Sequence, residues 1–174
     1  MKKNINLSLF SIYFLLFGVQ NLFGQCMSPL SEPNFEHQRQ FSKVSKPWSL
    51  HGTGGINIVE HPTQFDKTNI WLGTTTGWNG IEQSMTLFAN TPYTVIVSIR
   101  ASENMPMGTV GFKNQTRRIQ AQVNIGTQNY YKIFKLHFTP RTTGVYILYT
   151  GFWASDVDSW MNISSVDIRF PCSG

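Results

Sequence analysis

The chain is poor in cysteine, in acid and in charge generally. Its two cysteines, Cys26 and Cys172, have no neighbouring Cys or His at zinc-ligand spacing. Only nine residues are acidic: Glu32, Glu36, Glu60, Asp66, Glu82, Glu103, Asp156, Asp158 and Asp167. Glycoside hydrolysis needs two carboxylates across a cleft, and several of these fall at turns or on solvent faces of strands. No G-x-S-x-G elbow, H-E-x-x-H helix or catalytic Cys–His pattern is present. His37, His51, His61 and His137 are scattered. A non-catalytic protein is the expectation, with a small secreted hydrolase as a distant third option. The formal charge of +5 is modest and spread out. It lacks the clustered basic footprint of a nucleic-acid binder. The pair Arg117–Arg118 reads as a solvated turn or strand end.

Long apolar runs are also scarce. The one uncharged stretch, Leu7 to Val19, follows Lys2 and Lys3 and precedes "QNLFGQC". It is shorter than the roughly 20 residues that span a bilayer. The order of basic start, apolar middle and small-residue end is that of a secretory signal peptide. Cleavage is expected after Gly24, so that residues 1–24 leave and 25–174 form a single domain of 150 residues, ample for a core. A secreted protein follows, extracellular or periplasmic, with no membrane insertion after cleavage. Gln25 argues against a lipid anchor on Cys26. In an oxidising compartment the two cysteines are expected to form a Cys26–Cys172 bridge.

Helical periodicity is missing throughout. What recurs is alternation at period two, broken by Gly, Pro, Asn and Thr. "PYTVIVSIRA" puts Tyr93, Val95, Val97 and Ile99 on one side and Thr94, Ile96, Ser98 and Arg100 on the other. "YYKIFKLHF", "GVYILYTGF" and "WMNISSVDIRF" alternate likewise. Shorter candidates are "PWSLHG", "GINIVEH", "NIWLGT", "GIEQSMTLF", "GTVGFKN" and "RIQAQVNI". About ten strands at roughly 8–12 residue spacing imply an all-β fold, a two-sheet antiparallel β-sandwich. Gln83 shares a side with Ile81, Met85 and Leu87, so it should be buried and hydrogen-bonded, knitting strand ends. Trp48, after Pro47 at a strand start, is expected to plug the core.

The order of these signals resembles a known group. "EPNFEH", "PWSLHG", "NIWLG", "GIEQSMTL", "NTPYTVIVSIRAS", "VGFKN", "YYKIFKLHFTP", "GVYILYTGF" and "WMNISSVDI" follow one another over roughly residues 30 to 170. The arrangement is similar to the galactose-binding-like jelly roll of secreted carbohydrate-binding modules, nearest the cellulose- and xylan-binding group on bacterial cellulases and xylanases. The resemblance implies a jelly roll and a polysaccharide or glycan partner. In that family, a strand aspartate and the Glu of the opening motif contribute to a structural calcium site. Glu36 matches the opening Glu. Ser164 and Ser165 stand where the aspartates would be, so any calcium effect is expected to be weak. No other cofactor is implied. Asp156 and Asp158 are read as capping a loop.

The aromatic content singles out the binding candidates. Five Trp and nine Phe lie beyond residue 24, more than a sandwich of this size easily buries. "WLGTTTGWNGIEQ" reads as a turned, glycine-rich segment with Trp71 and Trp78 seven residues apart. Trp78, between Gly77 and Asn79, is the better candidate for exposure. Trp153 and Trp160 flank a second loop-like segment, "WASDVDSW". These two segments form the expected binding edge, with Asn79, Arg100, Tyr131 and Tyr146 as secondary residues on outward faces. A flat aromatic against a pyranose, with polar side chains reading hydroxyls, is how jelly rolls recognise sugars. Two functions are carried forward: a secreted non-catalytic glycan-binding protein, and a structural or adhesive extracellular protein using the same sandwich for protein contact.

Overall fold

A computed structural model describes residues 28–58 and 68–171. The expected signal peptide, the cleavage point and both cysteines lie outside these residues. The described residues contain eight strands and no helix. They are β1 (Ser49–His51), β2 (Gly54–Ile58), β3 (Thr68–Leu87), β4 (Tyr93–Ala101), β5 (Met107–Asn114), β6 (Ile119–Ile125), β7 (Lys132–Phe138) and β8 (Gly144–Arg169). All pair antiparallel.

Ten strand candidates become eight strands by two fusions. "NIWLGT" and "GIEQSMTLF" are one strand, β3. "GVYILYTGF" and "WMNISSVDIRF" are one strand, β8. The two long strands pair along almost their whole length, from Ile70↔Ile163 to Leu87↔Gly144. Each contributes to both sheets. The first sheet runs β6, β5, the front of β8, the back of β3, then β1. The second runs β7, β4, the back of β8, the front of β3, then β2. Between the halves the register slips at Thr74/Thr76, with Gly77 at φ 78° and Asp156 at φ 58°. Bulges of this kind bend a strand and let it pass from one sheet to the other.

An inserted residue also changes which side chains face inward. Among the core residues, the front of β3 supplies Ile70 and Leu72 and the back supplies Ile81, Met85 and Leu87, with the buried Gln83 on the same side. The core residues of β8 are Tyr146, Leu148, Phe152 and Ala154, then Met161 and Ile163, then Val166 and Ile168. The last change coincides with a second slip opposite Ser98/Ile99. These inward faces and those of β4 and β5 form one apolar core. Burial of such side chains supplies the main driving force.

The opening segment closes one end of the core. Trp48 is 1% exposed, meets Phe35 edge-on at 5.5 Å and donates its indole N–H to the Glu32 carbonyl at 3.1 Å. The Gln83 amide accepts from Ser31 N at 2.8 Å and donates to Ser31 O at 2.9 Å. The expected core plug is in place, and Gln83 is buried and hydrogen-bonded as expected, although it ties the opening segment to β3 rather than knitting strand ends.

Candidate functional site

The strand register assembles the outward face of the first sheet row by row. One row runs His51, Gly80, Gly151, Thr109, Asn124. The next runs Ser49, Glu82, Tyr149, Gly111, Gln122. On the other side of the first row, Trp78 opposes Trp153, which opposes Met107. Side chains in such rows are close neighbours across strands.

Glycines let the aromatics on this face lie down. A Cβ on Gly111 would meet the Tyr149 hydroxyl at 2.5 Å, and one on Gly80 would meet the Trp78 ring at 2.9 Å. Tyr149 therefore covers Gly111 and Trp78 covers Gly80. The two rings meet edge-on, 6.1 Å apart. Tyr149 is buried, its hydroxyl donating to Gln122 Oε1 at 3.1 Å. Burial raises its pKa, partly countered by the neighbouring Thr109 hydroxyl. Lys113 lies over the Tyr149 ring with Nζ 4.1 Å from its centroid, and 6.0 Å from that of Trp78.

These residues line a groove of about 360 Å³, with Thr109, Gln122, Asn124 and Lys113 offering polar groups and Trp78, Met107 and Ile119 apolar surface. Trp153, 51% exposed, stands beside Trp78 in the register. Beyond Lys113 lies an ion pair. Glu82 takes Arg117 Nη1 on Oε1 at 3.1 Å and Nη2 on Oε2 at 2.7 Å, and His51 Nε2 is 2.9 Å from Oε1. Burial pushes the Glu82 carboxyl upward, but Arg117 and His51 outweigh it and the pKa falls below the usual carboxylate value. The hydrogen bond to Glu82 raises the Arg117 pKa.

The eight sequence-predicted ligand residues do not form one edge. Trp78 and Trp153 share the face just described, but Trp78, expected to be the more exposed of the two β3 tryptophans, is half-buried because its ring lies over Gly80, while Trp71 is exposed. Trp71, Arg100, Tyr131 and Trp160 lie on the outward face of the second sheet. There Trp71, 37% exposed, opposes Asn162, which opposes Arg100. The Arg100 guanidinium sits 5.1 Å from the Trp160 ring and 5.7 Å from that of Tyr131. Burial raises the Tyr131 pKa, partly offset by the Arg100 charge. Asn79 and Tyr146, expected on outward faces, point inward. Asn79, 2% exposed, accepts from Thr53 N at 2.8 Å and donates to Thr53 O at 2.9 Å. Tyr146, 5% exposed, packs against Phe138 and donates to the Thr142 carbonyl at 2.9 Å. The loop-like segments are themselves corrected: "WLGTTTGWNGIEQ" lies within β3 and "WASDVDSW" within β8. Arg117 and Arg118, expected in a solvated turn or at a strand end, are exposed in the turn after β5, where Arg117 also pairs with Glu82.

Glu36 is exposed and accepts from Asn34 Nδ2 at 3.4 Å. Among the described residues no three Asp, Glu, His or Cys side chains converge as a metal site. The expected calcium contact at Glu36 thus stands on the sequence resemblance alone.

Comparison with known proteins yields no matching family model and no matching curated protein. Solved structures do match. A family 16 carbohydrate-binding module superposes at TM-score 0.57 with 13% identity, covering 81% of this chain and 99% of that one. The CBM61 module in complex with β-1,4-galactotriose superposes at 0.56 with 17% identity, covering 83% and 99%. An arabinose-bound GH51 α-L-arabinofuranosidase superposes at 0.61 with 14% identity and 83% of this chain, which spans only 26% of that enzyme's length.

Proposed function

We propose that this protein is an exported, non-catalytic polysaccharide-binding protein whose binding surface is the outward face of the first sheet. One observation carries the reading. Trp78 and Trp153 are direct neighbours in the register, beside a groove whose other groups are Thr109, Gln122, Asn124 and Lys113. A pyranose has apolar faces and a rim of hydroxyls. It fits a site that pairs an exposed indole, Trp153, and a half-buried one, Trp78, with short-range hydrogen-bonding groups. Glu82 is the acidic residue that the described strands place on this face, and Arg117 engages both its oxygens. A second carboxylate opposite it, as hydrolysis requires, is not contributed by the groove lining. Export belongs to the same reading and rests on residues 1–24.

Affinity electrophoresis through gels containing xylan, β-1,4-galactan or glucomannan tests it. The protein should be retarded in at least one. Trp78→Ala and Trp153→Ala should each weaken retardation at least tenfold, while Trp71→Ala, on the opposite sheet, leaves it unchanged. Loss on Trp71→Ala alone would move the site to the second sheet. Retardation in no polysaccharide gel would overturn the reading in favour of a structural or adhesive protein.

A further inference from the structure

The charges on the candidate face do not cancel. Glu82 and Arg117 neutralise each other through two hydrogen bonds. Lys113 is left over. None of the other groove-lining residues is acidic. Lys113 makes no ion pair among the described residues; its close neighbours are the rings of Tyr149 and Trp78. Burial and then the Arg117 charge lower its pKa, against a smaller opposing pull from Glu82. The face is thus a partly desolvated cation beside an aromatic surface, with its neighbouring acid already occupied. A charge held this way gains most from an anion that enters the same low-dielectric space.

We propose that the groove selects acidic sugars, pyranoses bearing a carboxylate or a sulfate ester, with the anionic group on Lys113 and the ring on Trp78. This rests on the reading of the groove as a sugar site and names the class of sugar. Electrostatic attraction of this kind is screened by salt, so it must be measured near physiological ionic strength.

The experiment uses matched polymers that differ only in charge. De-esterified homogalacturonan is compared with its fully methyl-esterified form, and dextran sulfate with dextran, by affinity electrophoresis at fixed salt. The acidic member of at least one pair should bind at least tenfold more tightly, and the pair that discriminates tells carboxylate from sulfate. Lys113→Met should bring that ratio close to one, and Lys113→Arg should restore most of it. Lys135→Met removes the same charge from an exposed position on the second sheet and should leave the ratio intact. Equal binding within both pairs, or a ratio lost equally in Lys135→Met, overturns acid selectivity. If neutral polymers bind as well and Trp78→Ala still abolishes binding, the sugar site stands and only the selectivity falls. If no polymer binds, both fall together.

Discussion

Arg117 and Glu82, 35 residues apart in sequence, meet as a two-pronged ion pair at 3.1 and 2.7 Å. The pair ties the turn after β5 to the middle of β3. Arg117 holds φ 62° there, and its amide donates to the Asn114 carbonyl at 2.8 Å. The pair flanks the groove and fixes the edge that Lys113 occupies.

The pH dependence of stability follows from the Glu82 shift. Its folded pKa lies below the ordinary glutamate value. In the window between the two values the unfolded chain binds more protons, so stability rises with pH. The contribution is complete above the unfolded value and is lost as pH falls through the folded one. Arg117→Ala should cost no more than about 1 kcal/mol at neutral pH, because the guanidinium is largely exposed. Urea melts of wild type and variant should converge below the carboxylate range. A gap that stays constant from pH 7 to pH 3 would show that the ion pair is not its source.

Trp48 and Trp78 should behave differently. Trp48→Ala removes a buried ring and an indole donor, and should destabilise by roughly 3–5 kcal/mol. Trp78 is only partly covered and should cost about 1–2 kcal/mol, through its lost contacts with Tyr149 and Gly80. Thermal melts of both variants decide this. Equal losses would place the Trp78 ring in the core and remove it from the candidate face.

Much of the fold was legible because alternation marks strands locally. It located all ten strand segments and the inward residues of β4. It did not reveal that β3 and β8 are each one strand, since the inward side changes parity at Thr74–Gly77 and again near Asp156 and Ser164. In β8 the residues Tyr146, Ile147, Leu148 and Tyr149 are apolar or aromatic on both faces. Alternation separates the two faces but does not say which is inside, so Tyr146 was expected outward and Tyr149 was missed. Tyr149, Lys113, Gln122, Asn124 and the Glu82–Arg117 pair come together only through the register of four strands and the turn after β5, which one sequence does not encode visibly. A cue existed in Gly111, since glycine inside a strand often marks a close approach.

The cysteine pair gives a covalent prediction from the sequence. Cys26 and Cys172 should be joined in the exported protein. Closing a loop of that length stabilises by about 4–5 kcal/mol in the chain-entropy model, less if strained. Alkylation followed by non-reducing mass mapping checks this: two freely alkylated thiols would show that the bridge does not form.

Asn79 supplies the sharpest test of how the first sheet is held. Its amide behaves like an extra strand residue, accepting from Thr53 N and donating to Thr53 O. Gly52 permits this, with φ 88° and no side chain to collide with the amide. Asn79→Asp keeps the shape but replaces the donor with a charged acceptor facing the Thr53 carbonyl. At neutral pH the variant should lose about 2–4 kcal/mol, the cost of a buried charge with one partner reversed. The introduced carboxyl should have a folded pKa above its unfolded value, since protonation restores a donor toward Thr53 O. The folded state then binds the extra proton, so the variant's stability falls as pH rises from the unfolded value through the folded one. Urea melts at pH 4 and pH 7 should show the deficit shrinking at the lower pH relative to wild type. An equal deficit at both would mean that the amide does not donate to Thr53.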